Sequence, residues 1–188
     1  MVLISCPFAV ICPAQSGQRG PQLQSPTPES APLMENPGFE AKLSSWDAKG
    51  WLGGEANAIS EAAHQGAAGL RLIHDSGNSP ASFASGYFRV KPGKKYETRF
   101  WARTVSGQGI AVYLGFYNKT RGLLNIKAYG NENRLAIPPS TKEFREFALQ
   151  GLALEEAAFV RIWIYSSAAA QVVADFDDFS LIELPPTP

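Results

Sequence analysis

Two sets of residues in this sequence have types and spacings that could support chemistry. The first is a carboxylate pair, Asp177 and Asp178, in the middle of the last apolar segment, Val173–Leu184. Apolar and polar residues alternate there with the period of a half-buried β-strand. Aspartate is uncommon in strands. The pair therefore implies a bound cation or a polar partner from the N-terminal part of the chain, and a local irregularity in the alternation.

The second set is aromatic and basic, and it shares the outward side of three predicted strands, Tyr96–Thr104, Ile110–Tyr117 and Phe159–Tyr165. Large aromatic side chains on a solvent-facing surface usually mark a site. Flat rings stack on the C–H faces of sugars, and arginine and tyrosine hydrogen-bond sugar hydroxyls. The predicted ligand-binding residues are Arg99, Trp101, Arg103, Tyr113, Tyr117, Arg161, Trp163 and Tyr165.

A structural role for these eight side chains remains open. In that role they would be covered by residues 120–139, by a subunit partner, or by arginine–aromatic stacking within the domain. Trp46 and Trp51 are interpreted as structural residues near the start of the domain.

The elements that must position both sets are short strands divided by turns, without intervening amphipathic helices. This pattern predicts an all-β fold, an antiparallel β-sandwich or jelly roll. Glu55–Ala63 is ambiguous, because its composition suits a helix and its length and context suit an edge strand. The other predicted strands are Trp46–Trp51, Gly69–His74, Ser82–Val90, Phe144–Leu152 and a short strand near Leu124–Tyr129.

Composition excludes some classes of function. The chain has 188 residues and zero formal net charge, with 17 basic and 17 acidic residues. A general binder of nucleic acid or of anionic membranes normally carries a basic excess. The body has no cysteine, since Cys6 and Cys12 lie in the first dozen residues. No segment beyond them is long and apolar enough to span a membrane.

The N-terminus predicts export. Val2–Cys12 has the length of a signal-peptide h-region, and residues 12–14 suit cleavage before Gln15, although a basic n-region is missing. The alternative is an unstructured apolar leader. Residues 1–14 are thus predicted to be a signal peptide, truncated at its basic end, of a secreted, periplasmic or cell-surface protein. Residues 15–33, rich in Pro, Gln and Ser, read as a disordered linker, 34–184 as the domain, and 185–188 as a tail.

Several segments, in order, resemble carbohydrate-binding modules of the galactose-binding-like jelly-roll type, similar to families 4 and 9. They begin with Asn-Pro-Gly-Phe-Glu at 36–40, followed by Trp46 and by Gly-Leu-Arg-Leu at 69–72. Val-Lys-Pro-Gly-Lys-Lys-Tyr at 90–96 and Phe-Asp-Asp-Phe-Ser-Leu at 176–181 continue the pattern. The resemblance covers residues 34–184 and implies the same fold, which hosts many binding roles.

The resemblance also implies a structural calcium ion. Carried over to this sequence, its ligands are Glu40, a backbone oxygen near His64–Gly66, and Asp177. Calcium takes six to eight hard oxygen ligands, so carboxylates from both ends of the domain suit it. The alternative is that Glu40 and Asp177 are polar strand ends hydrogen-bonded to backbone.

Catalytic motifs are missing from the sequence. It has no Gly-x-Ser-x-Gly elbow, no His-Glu-x-x-His and no phosphate-binding glycine loop. His64 and His74 fall on separate predicted elements. The favoured hypothesis is a non-catalytic, secreted protein that binds a poly- or oligosaccharide. The alternative is a structural β-sandwich that uses the same aromatic face to bind a protein partner or a second copy of itself.

Overall fold

The computed structural model describes residues 33–51, 54–124, 133–139 and 141–186. The predicted signal peptide, nearly all of the predicted linker and most of the short strand predicted near Leu124–Tyr129 lie outside these ranges. Within them the chain forms β-strands and one short 3₁₀ helix, Ser60–Ala62. The strands are β1 (Trp46–Asp47), β2 (Gly54–Ile59), β3 (Gly69–His74), β4 (Ala81–Ser85), β5 (Phe88–Arg89), β6 (Lys95–Tyr117), β7 (Arg134–Ala136), β8 (Arg145–Leu152) and β9 (Phe159–Glu183).

Two long strands form the frame of the fold. β6 and β9 run antiparallel from the pair Tyr96–Glu183 to the pair Tyr117–Phe159. Each was expected as two separate strands, and each is one continuous strand that bends. At the bend Gly107 has φ +74°, and a Cβ there would overlap the carbonyl oxygen of Gln171. Only glycine combines that conformation with so close an approach.

The bends divide the sheet into two layers. In the first layer the order is β7, residues 110–117 of β6, residues 159–166 of β9, β4 and β1, with β5 extending the line of β4. In the second layer it is β8, residues 95–104 of β6, residues 172–183 of β9, β3 and β2. Every pairing is antiparallel, so the predicted all-β sandwich is confirmed.

Aromatic rings fill the space between the layers. Trp46 of the first layer stacks on Phe83 with 5.4 Å between ring centroids and meets Phe179 of the second layer at 5.1 Å. Phe100 lies 5.0 Å from Phe179. Trp51 is buried as well and donates its indole N–H to the Ile73 carbonyl at 2.8 Å. The structural interpretation of Trp46 and Trp51 is therefore correct.

Several predicted boundaries were wrong for local reasons. Trp46–Trp51 is a strand only at Trp46–Asp47, because a turn closes with the Trp51 amide on the Ala48 carbonyl at 2.9 Å. Ser82–Val90 is interrupted at residues 86–87, where the Gly86 amide bonds Ser45. The edge-strand alternative holds for Gly54–Ile59, and the 3₁₀ helix follows it. No helix in the described ranges is long and apolar enough to cross a membrane.

The Asp177–Asp178 pair forms the predicted irregularity in β9. The register against β6 shifts here, and Asp178 has φ +50°. Phe176 and Phe179 are consequently both buried although they are three residues apart. A β-bulge is the regular way to add residues to one strand of an antiparallel pair.

Asp177 is fully buried, and its carboxylate accepts backbone hydrogen bonds. The amides of His64 and Gln65 donate to Oδ2 at 2.7 and 3.2 Å, and the Asp178 amide donates to Oδ1 at 2.8 Å. Burial is the largest influence and raises the pKa of Asp177, while the three amides act to lower it. The carboxylate thereby ties the last strand to the loop before β3.

Two buried threonines on the inner face of β6 differ in whether their hydroxyl groups are hydrogen-bonded. Thr98 Oγ1 has no hydrogen-bond partner among the described residues, whereas Thr104 Oγ1 donates to the Pro138 carbonyl at 2.8 Å. Removing an unpaired hydroxyl relieves a desolvation cost, whereas removing a paired one loses its hydrogen bond. We expect Thr98→Val to raise the free energy of unfolding by about 1 kcal/mol and Thr104→Val to lower it by roughly 0.5–1.5 kcal/mol. Urea denaturation measures both; equal effects of the two substitutions would contradict the assignment.

The two adjacent aspartates should differ sharply in their contribution to stability. Asp177→Asn replaces an acceptor of three backbone amides with a group that also donates, and we expect it to lower the free energy of unfolding by roughly 2–4 kcal/mol. Asp178→Asn removes only the partly exposed contact to His64 and should cost no more than about 1 kcal/mol. Chemical denaturation of both variants at one pH is the measurement. A larger loss for Asp178→Asn would refute the role given to Asp177.

Candidate functional site

The structure distributes the eight predicted ligand-binding residues over two surfaces. All eight lie on the outward side of their strands, as the alternation predicts. Because β6 bends from one layer into the other, Arg99, Trp101 and Arg103 lie on the outer surface of the second layer. The outer surface of the first layer carries the remaining five, Tyr113, Tyr117, Arg161, Trp163 and Tyr165.

On the second layer, arginine side chains are held by a buried carboxylate. Asp175 is fully buried and accepts from Arg71 Nε at 2.7 Å and from Arg103 Nε at 2.8 Å. Arg103 also donates to the Glu61 carbonyl at 2.6 Å. Arg99 pairs with Glu97 at 2.6 Å. Each of these arginines thus has a carboxylate partner within the domain.

Trp101 has an intramolecular partner too. The His64 ring lies parallel to the Trp101 ring, with 3.9 Å between centroids and 9° between planes. Nδ1 of His64 is 2.7 Å from Oδ2 of Asp178, and Phe144 packs edge-on to the imidazole. The Arg103 guanidinium covers Phe144 at 4.6 Å. Arg103 thus shows the arginine–aromatic stacking that the sequence left open, whereas Trp101 stacks on a histidine and Arg99 pairs with a carboxylate.

On the first layer, three rings form an aromatic patch: Tyr113, Trp163 and Tyr165. Trp163 is 5.3 Å from Tyr113 and 5.4 Å from Tyr165, and all three side chains are partly exposed. Tyr113 and Trp163 are cross-strand partners on β6 and β9, which places their rings side by side. Arg134 Nε donates to the Tyr113 hydroxyl at 2.8 Å.

A groove of about 320 Å³ lies beside the aromatic patch. Its position follows from β4, where Ser82 and Ala84 present small side chains next to Trp163, the cross-strand partner of Ala84. The side chain of Tyr117, from the end of β6, forms part of the lining. The lining residues are Asp47, Gly50, Ser82, Ala84, Tyr117, Leu123, Arg161 and Trp163. Three of the predicted ligand-binding residues thus line one groove.

Arg161, which lines this groove, is held in place by two contacts. Its Nε donates to the Ser85 carbonyl at 2.7 Å, and its guanidinium lies 4.5 Å from the Tyr87 ring centroid. Tyr87 in turn packs edge-on against Tyr117 at 5.1 Å. Burial raises the pKa of Tyr117, opposed by the nearby Arg161. The Tyr117 hydroxyl therefore stays protonated at neutral pH and can both donate and accept.

Sequence reasoning missed Asp47 and Tyr87. Both were placed inside predicted strands without a role, since nothing local distinguishes them from other polar or aromatic strand residues. Asp47 reaches the groove because β1 pairs with β4, and Tyr87 reaches Arg161 because the chain breaks its strand at residues 86–87. Only the long-range pairing of β4 with β9 brings them to this site.

The predicted calcium ligands come together around the loop before β3. Glu40 Oε1 accepts from the amides of Ala67 and Ala68 at 3.0 and 3.4 Å, and Asp177 accepts from His64 and Gln65. Gly66 has φ +69°, and a side chain there would overlap Glu40 Oε1.

Carboxylate oxygens are ligands that calcium prefers, and each has a second lone-pair site beyond its N–H contacts. The residues present fit the ion in type. No cluster of three or more His, Cys, Asp or Glu side chains suited to a metal occurs in the described part of the chain, so backbone oxygens would have to complete the shell.

A larger groove of about 1320 Å³ lies at an end of the sandwich. Charges of both signs line it, and Lys91 pairs with Glu183 there at 3.4 Å. Its ring Phe159 is approached by Arg89 at 5.8 Å. It contains none of the eight predicted ligand-binding residues.

No protein-family model matches this sequence, and no curated protein matches it. Solved structures do match its fold. Family 16 Carbohydrate Binding Module-2 aligns with a TM-score of 0.59 and 18% identity, over 80% of this chain and 99% of its own. TmCBM61 in complex with β-1,4-galactotriose aligns with a TM-score of 0.54 and 19% identity, over 82% of this chain and 100% of its own.

The fold also matches a segment of a much longer protein. The enzymatically active domain of tailspike protein 4 from Bacteriophage CBA120 aligns with a TM-score of 0.63 and 14% identity, over 81% of this chain but 21% of that one. At these identities the comparisons establish architecture. This chain has the jelly-roll β-sandwich fold of carbohydrate-binding modules.

Proposed function

We propose that the protein is a non-catalytic carbohydrate-binding protein that holds a poly- or oligosaccharide on the outer surface of its first layer. The observation that carries this proposal is the groove in which Tyr117, Arg161 and Trp163, all predicted from the sequence, meet. A groove beside partly exposed rings offers stacking surface together with hydroxyl and guanidinium hydrogen bonds, which suit a sugar. The fold shared with carbohydrate-binding modules supports the same class of ligand.

The roles in this site divide by chemistry. Trp163, flanked by Tyr113 and Tyr165, supplies the stacking platform. Tyr117 offers its hydroxyl as donor and acceptor, and Arg161 offers donors held in place by Ser85 and Tyr87. Arg99, Trp101 and Arg103 are reassigned to stability, because their partners lie within the domain. Export to the cell exterior is part of the proposal and rests on the apolar segment Val2–Cys12.

A matched pair of tryptophan substitutions tests the choice of surface. We expect Trp163→Ala to weaken binding to a panel of neutral polysaccharides by roughly tenfold or more, because the ring supplies buried apolar area and its stacking is worth about 1 kcal/mol beyond that area. Trp101→Ala, on the second layer, should retain glycan affinity within a factor of about two while lowering the melting temperature. Affinity electrophoresis and calorimetry give the affinities, and thermal denaturation gives the stability.

Two outcomes would contradict the proposal. Loss of binding in Trp101→Ala with an unaffected Trp163→Ala would move the site to the second layer. No binding by the folded wild-type protein to any glycan, combined with a concentration-dependent dimer in sedimentation, would favour the protein-interaction alternative, in which the aromatic patch meets a second copy.

The structural calcium ion is a further part of the proposal. The carboxylates of Glu40 and Asp177, with backbone oxygens near His64–Gly66, would hold it and pin the start of the domain to its last strand. Support comes from their convergence on one loop. A cation would also offset the burial of the Asp177 charge.

Calcium removal provides the test. With calcium at a hundredfold excess over its dissociation constant, the expected stabilisation is about 2.7 kcal/mol, and EDTA should lower the melting temperature by several degrees. Because burial raises the pKa of Asp177, the carboxyl takes up a proton at a higher pH than an ordinary aspartate, and the calcium effect should fade as the solution is acidified. Asp177→Asn should remove the effect. A melting temperature indifferent to EDTA, with no calcium found by elemental analysis, would show that the amide contacts suffice.

A further inference from the structure

One charged pair faces the groove on the first layer and is not accounted for by stacking. Nη2 of Arg161 lies 3.7 Å from Oδ2 of Asp47. Hydrogen bonds between such groups are about 2.7–2.9 Å long, so the two charges attract each other without closing a direct bond. Arg161 is nearly enclosed, with 15% of its side chain exposed, while 48% of the Asp47 side chain is exposed. The anion is thus the outer member of the pair.

Both members are held in place by other contacts. Arg161 is fixed by the Ser85 carbonyl and the Tyr87 ring. The Asp47 carboxylate is oriented because its Oδ1 accepts the Lys49 amide at 3.0 Å. Its Oδ2 is therefore directed toward Arg161 and the groove. A ligand entering the groove meets an acceptor and a donor at fixed positions, close to each other.

This arrangement discriminates between ligand groups by their hydrogen-bonding capacity. A sugar hydroxyl can donate to Asp47 and accept from Arg161 at the same time. A uronate carboxylate can only accept, and a carboxylate bound to Arg161 would lie close to Asp47 Oδ2, which is 3.7 Å from the Arg161 guanidinium. Like charges brought together in an interface cost several kcal/mol and suppress the wrong partner.

We infer that Asp47 is a specificity residue that restricts the groove to neutral sugars and rejects acidic ones such as uronates. This inference rests on the proposed function, since it concerns the same groove. Specificity of this kind requires a repulsive element as well as an attractive one. Asp47 supplies the repulsion, and the aromatic patch with Arg161 supplies the attraction.

The substitution Asp47→Asn tests the inference by changing charge at nearly constant shape. An asparagine keeps an oxygen for the Lys49 amide and places an amide donor beside Arg161, so two donors then face the ligand and suit a carboxylate. The probes are the neutral β-1,4-galactotriose and xylohexaose, against trigalacturonate and a glucuronate-substituted xylo-oligosaccharide. Glu143→Gln is the matched control, because it removes one exposed negative charge next to β8 in the second layer.

The wild-type protein should bind a neutral probe at least roughly tenfold more tightly than the acidic ones. Asp47→Asn should narrow this ratio roughly tenfold, by gaining affinity for the acidic probe and losing some for the neutral one. Glu143→Gln should leave the ratio unchanged. The difference between the two variants should diminish in high salt.

Several results would overturn the inference. The wild-type ratio needs no variant, and equal or tighter binding of the acidic probes would refute it even if Asp47→Asn fails to fold. Equal shifts in Asp47→Asn and Glu143→Gln would assign the effect to net charge instead of Asp47. In both cases neutral binding that depends on Trp163 leaves the proposed function intact. Absence of binding to every probe removes the proposed function and the inference together.

Discussion

The antiparallel pairing of β6 with β9 is the constraint on which the rest of this structure depends. The two strands remain paired along most of their length, from Tyr96–Glu183 to Tyr117–Phe159, and bend together near Gly107. Every other strand except β1 and β2 is hydrogen-bonded to one of them. Because the pair passes from one layer into the other, a single strand supplies outward residues to two opposite surfaces. The bend therefore decides which aromatic and basic residues become neighbours.

As a consequence, similar aromatic and basic residues have different surroundings in the two layers. In the second layer, the buried Asp175 carboxylate draws two arginines toward it, and the His64 ring covers Trp101. A buried carboxylate with bidentate and charge-assisted partners is costly to disrupt. That surface is stabilised by the same side chains that would otherwise bind a ligand. In the first layer the exposed rings contact mainly one another, and small residues on β4 leave space beside them.

Local patterns were sufficient to predict the fold class and the direction of most side chains. Strict alternation along residues 96–104, 110–117 and 159–165 has only one reading, because the side-chain period of a strand is two. The irregularity at Asp177 was also predictable, since two charged residues interrupt an apolar face. The continuity of β6 was not. Ser-Gly-Gln-Gly at 106–109 has the composition of a hairpin turn, and only its pairing with β9 shows that it is a bend.

The candidate site could be predicted only in part for the same reason. Tyr117, Arg161 and Trp163 carry their signal in their own strands. Asp47 carries none, because its position at the groove depends on β1 pairing with β4 and on β4 pairing with β9. His64 likewise lies far in sequence from the Trp101 ring that it covers. Contacts of this kind are set by chain topology, which composition and periodicity do not encode.

The partly exposed aromatic patch and the buried Asp177 carboxylate pose the same physical problem. Each places a costly group, a partly exposed ring or a buried charge, where a partner is required. The Asp177 carboxylate has its partners within the chain, because it accepts hydrogen bonds from the backbone amides of His64, Gln65 and Asp178. Trp163 lies against Tyr113 and Tyr165 and beside a groove that Asp47 and Arg161 also line. A surface whose rings stay partly exposed, next to a layer whose outward arginines and tryptophan have partners within the domain, is the stronger candidate for the external ligand that we propose.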